Sequence, residues 1–163
     1  MVDKNTGAGL RGQSAGQTAV CTVGAEGNSL RYRGYDVVEL AEYSTFYQVA
    51  YLLLKGELPT ALELETWKLK LKGQRTLPQP LKEVLERIPA SAHPMDVMRT
   101  GCSFLGNIEP EDDFSHQLDV AERLLAAFPS IVVYWYRFSH EGVRVETQTD
   151  DDSIGAHFLH MLH

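Results

Sequence analysis

The side chains of this 163-residue chain that could do chemistry are few and scattered. His157, His160 and His163 recur at i, i+3 and i+6 near the C-terminus. A zinc site on one helix uses i, i+4 histidines with a further carboxylate or thiolate, so this spacing predicts no metal centre. Cys21 and Cys102 stand alone, without the spacing of a metal or redox pair, and read as two reduced thiols. Lys68, Lys70, Lys72 and Arg75 form a local basic patch. Its plain reading is a solvated helix face; if one of the four touches an anionic substrate, Lys70 is the candidate. His93, directly before Pro94, is expected to cap a helix rather than to donate to a ligand.

The elements that must position these residues are mostly helical. The stretch PASAHPMDVMRTGCSFLG (89–106) organises the rest: Pro94 suits a first helical turn, and Met98, Gly101, Cys102 and Leu105 fall on one face. The small residues Gly101, Cys102, Ser103 and Gly106 predict close approach of another backbone. Phe46, Val49, Ala50 and Leu53 give a helical face that Gly56 to Pro59 terminates. Thr60 and Glu63 have the spacing of a capping box ahead of Leu64, Trp67 and Leu71. Leu81, Val84, Leu85 and Ile88 repeat the spacing, as do Leu118, Ala121, Leu125 and Phe128. The run IVVYWYRF (131–138) is β-prone, yet no second long strand is near to pair with it; it is expected to be a buried helix restarting or kinking at Pro129. Its aromatics, Tyr134, Trp135 and Tyr136, read as core or interface residues. Asp150, Asp151, Asp152 and Ser153 put acids and a cap before a final helix, Ile154 to His163. TAVCTV (18–23) and LRYR (30–33) predict one small β-hairpin, which must lean on helices. Residues 1–17 carry no hydrophobic period and predict a flexible N-terminal segment.

Composition narrows the function classes. With 44% hydrophobic residues the chain can bury a core and fits one domain. A net charge of −7, from 22 acids against 15 bases, argues against a nucleic-acid surface. No apolar run has the length needed to cross a bilayer, and MVDKNTGAGLRGQSAGQ lacks the apolar core of a signal peptide. A cytoplasmic protein without a membrane partner is expected.

Five blocks carry a resemblance. LRYRGYDVVELA (30–41), KGELPT (55–60), HPMDVMRTGCSFLG (93–106), YWYRFSHEG (134–142) and DDDSIGAHFLHMLH (150–163) resemble, in order, the citrate synthase family, the last two especially its bacterial 2-methylcitrate-forming branch. The resemblance covers nearly everything after residue 18. It implies a mostly α-helical, two-domain homodimer that condenses an acyl-CoA with oxaloacetate, without a metal or redox cofactor. For this branch the acyl-CoA is propionyl-CoA and the product 2-methylcitrate, on a route that consumes propionate. A base removes the proton beside the thioester carbonyl, a donor stabilises the enolate, and water later cleaves the thioester.

The family's catalytic histidines sit in motifs of the type KHGGAN and GHPVY, with an aspartate further along, and this sequence contains neither motif. Residues 18–163 are therefore expected to be the N-terminal part of a citrate-synthase-like large domain. No catalytic residue is assigned to the chain, which ends inside an apolar helix and is expected to be truncated and inactive alone. Arg33 and Lys70 are the substrate-binding candidates; Arg31 and Arg33 could approach CoA phosphates or a dimer partner, against the plainer reading of a structural ion pair at the hairpin. Two alternatives stay open: a citrate synthase using acetyl-CoA, and a non-catalytic helical oligomerisation module.

Overall fold

The computed structural model describes residues 16–24 and 29–163. The expected flexibility of 1–17 thus falls, for residues 1–15, outside the described residues. The chain divides into two compact units, Met1–Pro59 and Thr60–His163, where the sequence reading drew 18–163 as one. The break follows Gly56, whose left-handed φ of 103° ends a helix.

In the first unit, β1 (Cys21–Val23), β2 (Leu30–Tyr32) and β3 (Tyr35–Asp36) form an antiparallel sheet in that order. Cys21 lies opposite Tyr32, and Arg31 opposite Asp36. The expected hairpin is present with a third strand added. Arg33 and Gly34 connect β2 to β3 with φ of 51° and 93°, the positive pair that a two-residue type I′ hairpin turn requires. Asp36 ends the sheet and caps α1 (Val37–Tyr43), its carboxylate accepting the Val38 N–H at 2.8 Å. A capping box of Thr45 and Gln48 opens α2 (Phe46–Lys55). The residues α2 buries are Tyr47 and Leu52, while Phe46 is 55% exposed. Almost every position of FYQVAYLLL is apolar, so periodicity allowed more than one face, and the observed one is rotated from the one expected.

The second unit is helical throughout. The Thr60–Glu63 capping box starts α3 (Ala61–Gly73), with Thr60 N–H donating to Glu63 Oε2 at 2.8 Å and Glu63 N–H returning to Thr60 Oγ1 at 3.3 Å. Then come α4 (Gln79–Leu85), α5 (Pro94–Ile108), a 3-10 turn at Phe114–His116, α6 (Gln117–Glu141) and α7 (Ile154–Leu162). His93 caps α5 as expected, Nδ1 accepting the Met95 N–H at 3.2 Å. Ser153 does the same for α7, accepting the Ala156 N–H at 3.0 Å. The β-prone 131–138 run is helical as expected, and of the expected restart or kink at Pro129 the restart is absent, since α6 continues for 25 residues through it. An interior proline leaves the Leu125 carbonyl without its helical donor, at a cost of about 3 kcal/mol. Burial of Ile131, Val133, Tyr134 and Trp135 in the following turns offsets it.

The core of this unit joins Leu77, Leu81 and Leu85 to Val97 and Leu105 of α5 and Ile131, Tyr134 and Trp135 of α6. At its centre α5 meets α6 so closely that a Cβ on Gly101 would lie 2.8 Å from Ile131 Cγ2. Overpacking there costs about 1–3 kcal/mol, while leaving glycine behind returns up to about 1 kcal/mol of helix propensity. Gly101→Ala is therefore expected to lose about 1 kcal/mol of stability in urea denaturation. Gly106→Ala, with open space at its Cβ, is expected to lose nothing. Equal stabilities for the two variants would contradict the close α5–α6 approach.

Candidate functional site

The basic patch on α3 is not a solvated face. Lys68 pairs with Glu65 at 3.0 Å. Lys72 donates to the Asp150 carbonyl and lies 3.7 Å from its carboxylate. Arg75 is 3% exposed. Lys70 sits between two carboxylates of α6, with Nζ 2.6 Å from Asp119 Oδ1 and 2.5 Å from Glu122 Oε2. Glu122 is fully buried, and its other oxygen accepts the Trp67 indole N–H at 2.9 Å. The hydrogen bonds to Asp119, then Glu122, hold the Lys70 ammonium above the ordinary lysine range. Amphipathic spacing cannot show this, because the acids lie about fifty residues away in sequence.

Arg33 belongs to the first unit, where its backbone N–H donates to Val20 O at 2.9 Å. Its Nη2 donates to Leu53 O, also at 2.9 Å. Leu53 is in the last turn of α2, whose terminal carbonyls lack helical donors and carry partial negative charge. The guanidinium thus acts as a cap for α2.

The histidines of the last helix part company. His157 is fully buried, with Nε2 3.0 Å from Ser130 Oγ on α6 and Nδ1 2.9 Å from Thr149 Oγ1. Arg75 closes this cluster, donating to the carbonyls of Thr149 at 3.2 Å and Asp151 at 2.7 Å. Burial, then the Arg75 charge, lowers the His157 imidazole to about 4. His160 lies instead against Asp151, 3.0 Å away. Among the described residues no three His, Cys, Asp or Glu side chains gather in a metal-binding group. A hydroxyl beside an imidazole suggests an activated nucleophile, but Ser130 is fully buried, and the second imidazole nitrogen meets a hydroxyl rather than an orienting carboxylate. The cluster is a hydrogen-bonded interior, not a catalytic dyad. Sequence spacing missed Ser130 and Thr149 and placed Arg75 only in the basic patch, because the three come from separate segments.

A second polar knot fixes the extended segment after α6. Glu86 receives the Arg144 guanidinium at 2.7 and 2.8 Å and the Tyr134 hydroxyl at 2.7 Å. Arg144 above all lowers the Glu86 carboxyl to about 2, while burial, then Glu86, raises Tyr134 to about 12.

A cavity of about 490 Å³ opens between α5 and α6, with Leu105, Val120 and Leu124 in its apolar lining. Its rim carries three carboxylates, Glu109, Glu111 and Asp119, to one guanidinium, Arg123. Arg123 is already engaged, gripping Glu109 at 2.8 and 3.0 Å and donating to Gln74 O at 2.6 Å. Asp119 is likewise engaged, by Lys70 Nζ at 2.6 Å, and the one guanidinium of the lining is already taken, so it is not available to hold an anionic ligand. Neither the cavity nor the histidine cluster supplies an accessible base together with donors for a developing oxyanion.

Residues 9–163 match the family described as citrate synthase, C-terminal domain. The chain is 71% identical over 160 residues to the 2-methylcitrate synthase of Shewanella oneidensis, covering 98% of this chain and 43% of that protein. It superposes on the citrate synthase of Thermotoga maritima with a TM-score of 0.76 at 33% identity, over 95% of this chain and 40% of that one. The fold also matches a Thermoplasma acidophilum citrate synthase solved with carboxymethyl coenzyme A and oxaloacetate, at a TM-score of 0.80 and 21% identity over 94% of this chain and 41% of that one. The chain thus spans less than half the length of these relatives.

Lys70 offers a direct test of the α3–α6 junction. Removing one partner of a buried ion pair costs about 3–5 kcal/mol; the Lys70 side chain is 42% exposed, so water offsets part of the loss. Lys70→Ala is expected to cost about 1–2 kcal/mol in denaturant unfolding followed by tryptophan fluorescence, and Lys68→Ala less than about 0.5 kcal/mol. Equal effects would deny Lys70 its role in compensating Glu122.

Proposed function

We propose, since this chain belongs to the citrate synthase family, that it forms the N-terminal part of a 2-methylcitrate synthase. The observation that carries this reading is the identity to the Shewanella oneidensis enzyme across nearly all of the chain. The reaction joins propionyl-CoA, oxaloacetate and water to give 2-methylcitrate and free CoA. A base takes the proton beside the thioester carbonyl, and a hydrogen-bond donor holds the enolate oxygen. The enolate carbon attacks the oxaloacetate ketone, whose oxygen gains a proton. Water then cleaves the thioester and releases the CoA thiol. No metal or redox cofactor enters this scheme.

The base and enolate donor are assigned to the part of the protein beyond the match, because the sequence has neither the KHGGAN nor the GHPVY motif. The lining of the cavity supports the same assignment, since CoA and oxaloacetate are both anionic and its one guanidinium, Arg123, is already engaged by Glu109. Arg33 and Lys70, the substrate-binding candidates, already hold a helix carbonyl and two carboxylates; a substrate would have to displace these partners. Among the described residues no helix is long and apolar enough to cross a membrane. A homodimer enters the proposal through the family resemblance, and a cytoplasmic location through the two isolated cysteines read as reduced thiols.

The likeness to the Thermotoga maritima citrate synthase favours a second reading, with acetyl-CoA as the acyl donor. One methylene in an apolar pocket is worth roughly 10- to 200-fold in kcat/KM, so both thioesters should react at different efficiencies. Thiol release with oxaloacetate separates the readings: the longer protein containing this chain is expected to favour propionyl-CoA by at least about tenfold. A preference for acetyl-CoA would select the second reading. The 163-residue chain alone is expected to release none, and turnover by it would place the catalytic groups within these residues.

A further inference from the structure

Helix α7 is seated on a polar centre. Its two fully buried side chains are Met161 and the His157 imidazole. The segment leading to it is held the same way: Thr147 Oγ1 accepts the Leu77 N–H at 3.2 Å, and Arg75 collects the Thr149 and Asp151 carbonyls. At the far end Arg137 donates to Leu162 O at 3.0 Å. Ile154, Phe158 and Leu162 are half-buried beside them, and of the two buried side chains of α7 only the His157 imidazole can take up a proton.

We propose that the buried Ser130–His157–Thr149 bridge, with Arg75 beside it, is an acid-sensitive latch that releases residues 147–162 while α3, α5 and α6 stay folded. The groups facing His157 define its response. Ser130 comes from α6, Thr149 and Asp151 from the segment preceding α7, Arg75 from the connection just after α3, and His160 from α7 itself. Burial opposes a charge on His157 first, Arg75 adds to that, and the Asp151 carboxylate, which favours one, is also engaged by His160. Protonation is therefore disfavoured closed and ordinary once α7 opens to water. The closed imidazole titrates near 4, below its usual value of about 6.5, so the stability it confers is complete above about pH 6.5 and declines as pH falls towards 4.

Hydrogen exchange on the full chain at pH 7 and pH 5, corrected for intrinsic exchange, tests this. The opening equilibrium of α7 is expected to rise roughly 20-fold at pH 5, the ratio given by those two titration points, with α3 and α5 unchanged. His157→Gln, which cannot titrate, is expected to abolish the rise, and His160→Gln to leave it intact. If His157→Gln fails to fold, the wild-type imidazole titration by NMR decides. A His157 midpoint below 5, with α7 protection falling as the pH drops, supports the latch. An α7 protected equally at both pH values, a loss shared by all helices, or a dependence removed by His160→Gln would each overturn it.

Discussion

The approach of α5 to α6 at Gly101 and Ile131 sets the geometry of the second unit. A missing Cβ lets Ile131 fill the space a side chain would occupy, so the two helices pack at a distance no other residue at 101 allows. Val97 and Leu105, one turn to either side, then reach the core shared with α4 and α6. Interiors pack at crystal-like density, so that spacing constrains every neighbouring rotamer. It also explains how α6 carries a proline in its interior: the turns beyond Pro129 are held by neighbours, and the lost backbone bond does not break the helix.

Around this apolar centre the unit places polar clusters at its helix junctions. Glu122 joins α3 to α6 through Trp67 and Lys70. Glu86 ties the segment after α6 back to the end of α4. Ser130, His157, Thr149 and Arg75 seat α7. Such groups add little net stability over apolar packing, but a misplaced helix leaves them unsatisfied, which penalises alternative arrangements. The chemistry of these residues is thereby spent on architecture.

Local signals were legible where a residue acts on its own neighbourhood. The Thr60–Glu63 box, the His93–Pro94 start and the Ser153 cap each bind backbone within three residues, so spacing alone reveals them. Gly101 could be read as a close-approach position, though not as one facing Ile131. The α2 face was misplaced because an almost wholly apolar segment carries no amphipathic contrast. The third strand escaped because Arg-Gly is not the Asn-Gly or Asp-Gly pair that marks a tight hairpin. The polar clusters were illegible for a topological reason: Lys70 and Glu122, or Arg75 and Thr149, meet only after intervening helices have folded back.

Arg33 couples two demands that one residue satisfies poorly. Its backbone adopts a left-handed φ that glycine or asparagine would take more easily, while its side chain closes the end of α2. An engineer grafting an Asn-Gly turn to tighten the hairpin would gain an easier bend and lose the guanidinium that joins sheet to helix. The sheet and α2 therefore cannot be optimised separately: position 33 is a compromise between a good turn and a good brace.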